Sequence, residues 1–181
     1  MADPKAPAYA PLLRGLHWLM FLIIAAAAAG GIATHYLPRD GAMHEQVMLY
    51  HKSLGLTLFD LVILRLLFRL LLGSPPYRPA LGKFNEKLAG AAHLLLYATM
   101  IALPISGYVM TMASQHDFAW FGYYPVPNYV PANKGLAEAA EGGHMLLAYV
   151  LGGLVGLHLL ASLWHKVRGD GVYERMWPAK A

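Results

Sequence analysis

Apolar residues are gathered into four long runs along the chain, separated by shorter polar or proline-rich segments. The runs cover residues 11–33, 47–72, 88–112 and 143–164. At about 1.5 Å per residue, each run is long enough for a helix to cross the hydrocarbon of a bilayer. The pattern predicts an all-α integral membrane four-helix bundle that forms one domain over residues 1–181.

The segments around the runs complete this prediction. The stretch GSPPYRPALGK between the second and third runs cannot continue a helix. Residues 113–141 are expected to form a long loop rich in aromatic residues and prolines. The first run could instead be a secretory signal peptide, but it is longer than the usual apolar core of such a peptide and contains His17 and Trp18.

Lysine and arginine residues predict the direction of the helices, because short cytoplasmic segments of membrane proteins are enriched in both. One face of the predicted bundle carries most of them: Lys5, Arg14, Arg65, Arg69, Arg78, Lys83, Lys87, Lys166, Arg168, Arg175 and Lys180. The other face has Arg39, Lys52 and Lys134. We therefore expect both termini to face the cytoplasm.

Composition narrows the chemistry that the bundle can perform. Charged residues make up 13% of the chain, against roughly a quarter in a soluble domain. The absence of cysteine excludes disulfides, thiolate-bound zinc, iron–sulfur clusters and covalently attached c-type haem. Nine histidines remain as candidate ligands. The basic residues lie beside the apolar runs and give no indication of nucleic-acid binding.

Four of the histidines fall at two depths in the predicted bilayer. His17 lies in the inner part of the first run, and His51 lies in the outer part of the second. On the fourth run, His144 and His158 are 14 residues apart, which places them about 21 Å apart and only about 40° apart around the helix. The spacing predicts an inner pair, His17 with His158, and an outer pair, His51 with His144.

Each predicted pair could bind the iron of one b-type haem from both sides. Closing both axial positions favours electron transfer over oxygen binding, and two haems stacked through the bilayer would carry electrons across it. A single intramembrane histidine could instead form a hydrogen bond between helices, but four at two depths favour haem. Zinc would need three or four clustered ligands, which these four histidines cannot provide.

Other residues could support such sites, each with a simpler alternative. Gly55, Gly152 and Gly156 could leave room for a flat macrocycle or allow close helix packing. Arg65 and Arg69 could contact the propionates of the inner haem, or extend to the cytoplasmic interface.

Two further histidines lie at the inner end of the predicted bundle. His165 follows His158 by seven residues on the same helical face. It could supply protons at a quinone site, or simply lie at the membrane interface. His93 has no evident partner in the sequence, and a packing or hydrogen-bonding role is expected for it.

The histidine-bearing segments resemble the bacterial cytochrome b-561 family, whose characterised members include superoxide oxidase. The resemblance covers LLRGLHWLMF, YHKSLGLTLFDLVILRLLFRL, AAHLLLYATMIALPISGYVM, GHMLLAYVLGGLVGLHLLASLWHKV and the terminal ERMWP. It implies four helices in the bacterial inner membrane and two haem b groups, with His17, His51, His144 and His158 as axial ligands. It also implies ubiquinone as the cytoplasmic acceptor, with His165 matching the histidine placed there in superoxide oxidase.

The resemblance implies an oxidoreductase that passes electrons from periplasmic superoxide through two haems to ubiquinone. A related possibility is a membrane subunit that accepts electrons from a periplasmic redox protein, as in hydrogenase- or dehydrogenase-type cytochromes b. The aromatic stretch FAWFGYYPVPNYVP would then be the docking surface. A non-redox membrane protein with incidental histidines is the third possibility. The sequence identifies neither a catalytic residue nor an oligomeric state.

Overall fold

A computed structural model describes residues 7–77 and 81–177. It contains four helices: α1 (Pro11–Ala33), α2 (Ala42–Leu72), α3 (Lys83–Ala113) and α4 (Lys134–Arg168). A two-stranded hairpin, β1 (Ala119–Trp120) and β2 (Tyr124–Pro125), lies between α3 and α4, and a single 3-10 turn (Tyr173–Arg175) follows α4. The four predicted helices are confirmed. Lys5, Arg78 and Lys180, used above for the charge count, and Pro178 of ERMWP lie outside the described residues.

Three of the helices, α1, α3 and α4, have the length and the apolar composition of membrane spans. The second helix is 31 residues long but carries Lys52, Asp60, Arg65 and Arg69 and is not among the three. The chain is therefore a mostly helical membrane protein, as its apolar runs predicted.

Three of the four helices begin earlier in the sequence than the apolar runs that predicted them. The first helix has the predicted bounds, whereas α2, α3 and α4 begin in polar sequence before their runs. Hydropathy marks only the part of a helix that lies in hydrocarbon, so a polar extension is invisible to it. The predicted loop 113–141 is wrong beyond residue 133, because Asn133 caps α4 by accepting a hydrogen bond from Leu136 N–H at 2.9 Å.

Of the three other helices in the described part of the chain, only α3 packs closely against α4. Helix α1 packs against α2, α2 against α3, and α3 against α4. Within the described residues, the backbone of α4 scarcely approaches that of α1 or α2. One buried apolar layer joins all four helices, and its members are Met20, Leu58, Val62, Met100 and Leu151. Leu151 lies midway in sequence between His144 and His158, so this layer separates the two histidine depths.

The hairpin is anchored to the side of α2 and marks what we call the hairpin end of the bundle. Phe121 and Gly122 form its tight turn with φ of 48° and 80°. The Phe121 backbone N–H donates to Ser53 Oγ at 2.8 Å, and Trp120 Nε1–H donates to Thr57 Oγ1 at 3.1 Å.

The opposite end of the bundle, which we call the terminal end, is closed by residues 169–177, the C-terminal segment. Gly169 ends α4 in the left-handed conformation, with φ of 65°, which glycine adopts without steric cost. The chain then turns back toward α1. Trp18 Nε1–H donates to the Met176 carbonyl at 3.0 Å, and Tyr9 N–H donates to the Arg175 carbonyl at 3.1 Å.

Candidate functional site

Two imidazoles face each other at the hairpin end, across the gap between α2 and α4. The ring centres of His51 and His144 are 6.1 Å apart, with an angle of 80° between the ring planes. The two rings belong to helices whose backbones do not pack together. The structure therefore brings together the two histidines that were predicted to form the outer pair.

The His51 ring is held against α1 by a carbonyl and a glycine. Its Nδ1 lies 2.8 Å from the carbonyl oxygen of Ala27, which can only accept, so Nδ1 is the donor. A Cβ on Gly31 would lie 3.0 Å from His51 Cε1, so the ring rests on bare backbone. With Nδ1 engaged as a donor, the lone pair of Nε2 is free to bind a metal.

The His144 ring is held against α3 in the same way. Its Nδ1 lies 3.1 Å from both the Leu103 carbonyl oxygen and Ser106 Oγ, and the Ser106 hydroxyl itself donates to Leu103 O at 2.7 Å. A Cβ on Gly107 would lie 3.1 Å from His144 Cε1. This side chain, too, presents Nε2 to the space between the helices.

We call the backbone features that hold each of these rings its seat. The seats of His51 and His144 are alike, and the sequence analysis did not predict them. A carbonyl accepts the Nδ1–H, and a glycine four residues later leaves room for the ring: Ala27 with Gly31, and Leu103 with Gly107. Glycines on α1 and α3 give no sign in sequence that a histidine from another helix rests on them. A glycine four residues after another residue is too common a pattern to identify these positions.

A second group of imidazoles lies at the terminal end. The ring centres of His17 and His158 are 6.1 Å apart, with an angle of 64° between the planes. The ring centres of His93 and His158 are 5.8 Å apart. The sequence did not indicate this neighbour of His93, and the ring contact is consistent with the packing role expected for it.

The pair geometry fits a haem iron held from both sides. Two imidazoles that share one iron stand roughly 6 Å apart between ring centres, since each metal–nitrogen bond is about 2 Å long. Both pairs meet this separation. A Cβ added at Gly55, Gly152 or Gly156 would meet nothing within 4 Å, so open space adjoins the predicted small residues.

The donor set also suits a macrocycle better than a bare metal ion. Among the described residues, no group of three or more histidine, cysteine, aspartate or glutamate side chains could hold a metal ion. A haem iron needs only two ligands from the protein, because the porphyrin nitrogens fill its other positions. Paired histidines without further ligands are therefore consistent with haem.

Arg65 and Arg69 follow His51 by 14 and 18 residues in the sequence, and the structure places both at the terminal end. The Arg65 guanidinium contacts the Tyr97 hydroxyl, and Arg69 lies over the ring of Tyr9, with its Cζ 4.8 Å from the ring centre. Both side chains are thus held by aromatic residues inside the bundle. The described contacts include no carboxylate partner for either of them.

His165 forms a dyad with an acidic residue that sequence reasoning did not identify. Its Nδ1 lies 2.7 Å from Asp170 Oδ2, a residue of the C-terminal segment. Burial acts to raise the pKa of Asp170. Hydrogen bonds from His165 and from Val172 N–H act to lower it, as do the positive charges of His165 and Arg168, and together these outweigh the effect of burial. The pKa of Asp170 is therefore held below its usual value, and the carboxylate is ionised at neutral pH.

The chain is similar to known proteins over nearly its whole length. The profile of the family described as prokaryotic cytochrome b561 matches residues 8–179. The probable superoxide oxidase CybB of Yersinia pestis is 31% identical over 173 residues, covering 95% of this chain and 97% of that protein. Cytochrome b561 homolog 2 of Escherichia coli (strain K12) is 29% identical over 93% of this chain and 90% of its own length.

A third relative, cytochrome b561 homolog 1 of the same Escherichia coli strain, is 24% identical over 91% of this chain and 94% of its own. The matches run along nearly the whole chain and include all four histidine-bearing helices. The resemblance of the histidine segments is thereby confirmed, and the chain belongs to the prokaryotic cytochrome b561 family of membrane electron-transfer proteins.

Proposed function

We propose that this chain is a di-haem b cytochrome of the bacterial inner membrane that oxidises superoxide at its periplasmic side and reduces ubiquinone at its cytoplasmic side. In this proposal residues 1–181 form one domain, all four helices cross the bilayer, and the terminal end faces the cytoplasm. The observation that carries the proposal is the equal 6.1 Å separation of two imidazole pairs at opposite ends of the bundle.

The proposal assigns one haem to each pair of histidines. His51 and His144 would hold one group at the hairpin end, and His17 and His158 would hold the other at the terminal end. We choose His17 over His93 as the partner of His158 because the resemblance of the histidine-bearing segments implies it, although both rings lie about 6 Å from that of His158. Bound there, each b-type haem would supply a one-electron carrier. Arg65 and Arg69 would face the propionates of the terminal-end haem.

The hairpin end offers a cation for an anionic electron donor. Lys52 directly follows His51 in sequence, and its Nζ lies over the Phe118 ring at 5.3 Å from the ring centre. Lys134, by contrast, forms an ion pair with Glu138 at 3.7 Å. A fixed positive charge beside the entry point raises the encounter rate of an anion such as superoxide. One of the relatives above is named a probable superoxide oxidase, which supports this donor.

The terminal end offers a proton-bearing group for the acceptor. Asp170 accepts from His165 Nδ1–H and so leaves Nε2 to face a quinone oxygen. In the proposed reaction two superoxide anions each lose one electron and leave as dioxygen. One ubiquinone gains these two electrons and two protons and leaves as ubiquinol.

The experiment is reduction of the purified protein by a superoxide source, with and without a ubiquinone analogue, followed at the haem absorption bands. We expect haem reduction above the background rate, and faster reoxidation when the quinone is present. Lys52→Gln should lower the second-order rate with superoxide and weaken its dependence on ionic strength. The matched change Lys134→Gln should leave both unchanged. No reduction above background in the wild type would exclude superoxide as the donor.

A second candidate function is electron transfer from a periplasmic redox protein, as in hydrogenase- or dehydrogenase-type cytochromes b. Three tyrosines at the hairpin end favour it, because Tyr123, Tyr124 and Tyr129 are 81%, 67% and 83% exposed. Exposed aromatic side chains are enriched in protein interfaces. A redox protein that co-purifies after gentle extraction and reduces the haems without superoxide would establish this function instead.

A further inference from the structure

Two arginine side chains lie over one tyrosine ring at the terminal end, and a third arginine lies one helical turn away from one of them. Arg69 and Arg175 both lie over the ring of Tyr9, with Cζ at 4.8 Å and 5.2 Å from the ring centre. Arg65, one helical turn before Arg69, contacts the Tyr97 hydroxyl. The cluster therefore draws its charges from two distant parts of the chain, α2 and the C-terminal segment.

The charges of this cluster have no acidic partner in the described part of the chain. The ion pairs found there are Lys134 with Glu138 and His165 with Asp170, and neither involves the cluster. Arg175 is only 5% exposed. The Nε atoms of Arg65 and Arg175 are buried and have no hydrogen-bond partner. Burying a cation without an anion is costly, so the arrangement indicates a missing negative charge.

The fold holds Arg175 firmly in this position. One guanidinium N–H group contacts the Pro75 carbonyl, and the ring of Tyr77 lies 4.0 Å from its Cζ. The backbone of the C-terminal segment is tied to α1, through Tyr9 N–H to the Arg175 carbonyl at 3.1 Å and through Arg14 to the Trp177 carbonyl at 2.8 Å. The side chain is thus held against Tyr9, Pro75 and Tyr77 and does not extend into solvent.

The cluster lies next to the terminal-end histidines. Arg65, Arg69 and Arg175 are all close enough to His93 for their charges to act on it. Arg65 is also within this range of His17 and His158. The cluster therefore lies at the same end of the bundle as the histidines to which the proposed function assigns one haem.

We propose that Arg175 completes a carboxylate-binding site with Arg65 and Arg69, and that its ligand is a propionate of the terminal-end haem. The proposal rests on the haem sites of the proposed function and adds the C-terminal segment to them. Guanidinium groups suit carboxylates because they donate two parallel, charge-assisted hydrogen bonds. The depth of Arg175 favours a ligand carried within the bundle over a lipid headgroup at its rim.

The test compares haem with its dimethyl ester, which has the same ring and iron but no carboxylates. Both are loaded into full-length protein in a His144→Ala background, which is expected to keep only the terminal-end pair. Transfer to apomyoglobin then gives each dissociation rate. We expect the ester to leave the unmodified cluster about tenfold faster than haem, as the loss of charge-assisted hydrogen bonds requires.

Arg175→Gln should lower this ratio by speeding the loss of haem and leaving the loss of the ester unchanged, and Arg65 and Arg69 should keep it above one. Arg175→Lys, which keeps the charge, should lower the ratio less. Arg168→Gln, an exposed change at the same end of the chain, should leave the ratio intact. If Arg175→Gln speeds the loss of haem and ester equally, Arg175 is only a structural tie and the proposal is overturned. Failure of the wild type to bind haem at all would instead overturn the proposed function.

Discussion

At the hairpin end, the position of each imidazole is decided by two backbone features of a neighbouring helix. The carbonyls of Ala27 and Leu103 fix which ring nitrogen carries the proton, and Gly31 and Gly107 fix how closely the rings approach. These four residues carry no reactive group. They nevertheless determine whether the Nε2 atoms of His51 and His144 point at one another, which is what a shared iron requires.

Gly31→Ala should displace the His51 ring, because the added methyl carbon would lie 3.0 Å from Cε1 and 3.3 Å from Nδ1. Overpacking of this kind costs roughly 1–3 kcal/mol. The hairpin-end haem should then be lost about tenfold faster or more, as measured by transfer to apomyoglobin. Gly15→Ala on the same helix, where a Cβ meets nothing within 4 Å, is the control. Equal haem retention in both variants would contradict the role given to Gly31.

The Asp170 carboxylate should remain ionised until strongly acidic pH. Its pKa lies below the usual 3.8 in the folded protein, so its stabilising contact is present above that value and is lost as pH falls through the lower, folded value. Infrared difference spectra against Asp170→Asn should show the protonated carboxyl band only below about pH 4. Appearance of this band between about pH 5 and 7 would contradict the contact with His165.

At this scale the sequence predicted which histidines lie together better than it predicted their surroundings. The helical period alone put His144 and His158 on one face of α4, and the structure places a histidine opposite each. The seats at Gly31 and Gly107 could not be predicted, because they depend on which side chain arrives from another helix. The same is true of His93, whose neighbour His158 lies on α4.

At the scale of elements, the polar connections are more ordered than their composition suggests. The segment after α3 was expected to be a loop up to residue 141, yet it folds into a hairpin and the first turns of α4. Asn133 is a typical N-cap residue, but a prediction based on hydropathy does not take such residues into account. The hairpin was not predicted because its register depends on anchors in α2, at Ser53 and Thr57.

Ser53→Ala should loosen the hairpin. Ser53 is fully buried and its hydroxyl accepts from Phe121 N–H at 2.8 Å, so the substitution leaves a donor without its partner, at a cost of about 1–3 kcal/mol. Hydrogen exchange in residues 118–126 should rise accordingly. Ser114→Ala is the matched control, because its exposed hydroxyl bonds only within α3, to Met110. Unchanged exchange in Ser53→Ala would show that α2 does not anchor the hairpin.

The same reasoning applies to the C-terminal segment. Its sequence is short and polar, with ERMWP as its most recognisable part, and the apolar pattern gave it no structural role. In the structure this segment returns to α1, and Arg175 is buried. Long-range contacts of this kind join residues more than 150 positions apart, as Trp18 and Met176 do, and no local pattern encodes them.

At the scale of the whole molecule, the main feature is that α4 stands apart from α1 and α2 while its histidines face theirs. A bundle selected only for packing would close this gap, because helices in membranes associate through close van der Waals contact. Instead, a single apolar layer around Leu58 and Leu151 ties the helices together at mid-depth. One histidine pair lies on either side of this layer.

The measurement that tests this account most directly is the number of haems per chain in single-histidine variants, determined from the pyridine haemochrome and the protein concentration. We expect two haems in the wild type and one each in His144→Ala and His158→Ala, with the His144→Ala and His158→Ala double variant binding none. His93→Ala should keep both, since His93 is not assigned as a ligand. Two haems with unchanged spectra in either His144→Ala or His158→Ala would contradict the paired-imidazole sites on which the proposed electron path depends.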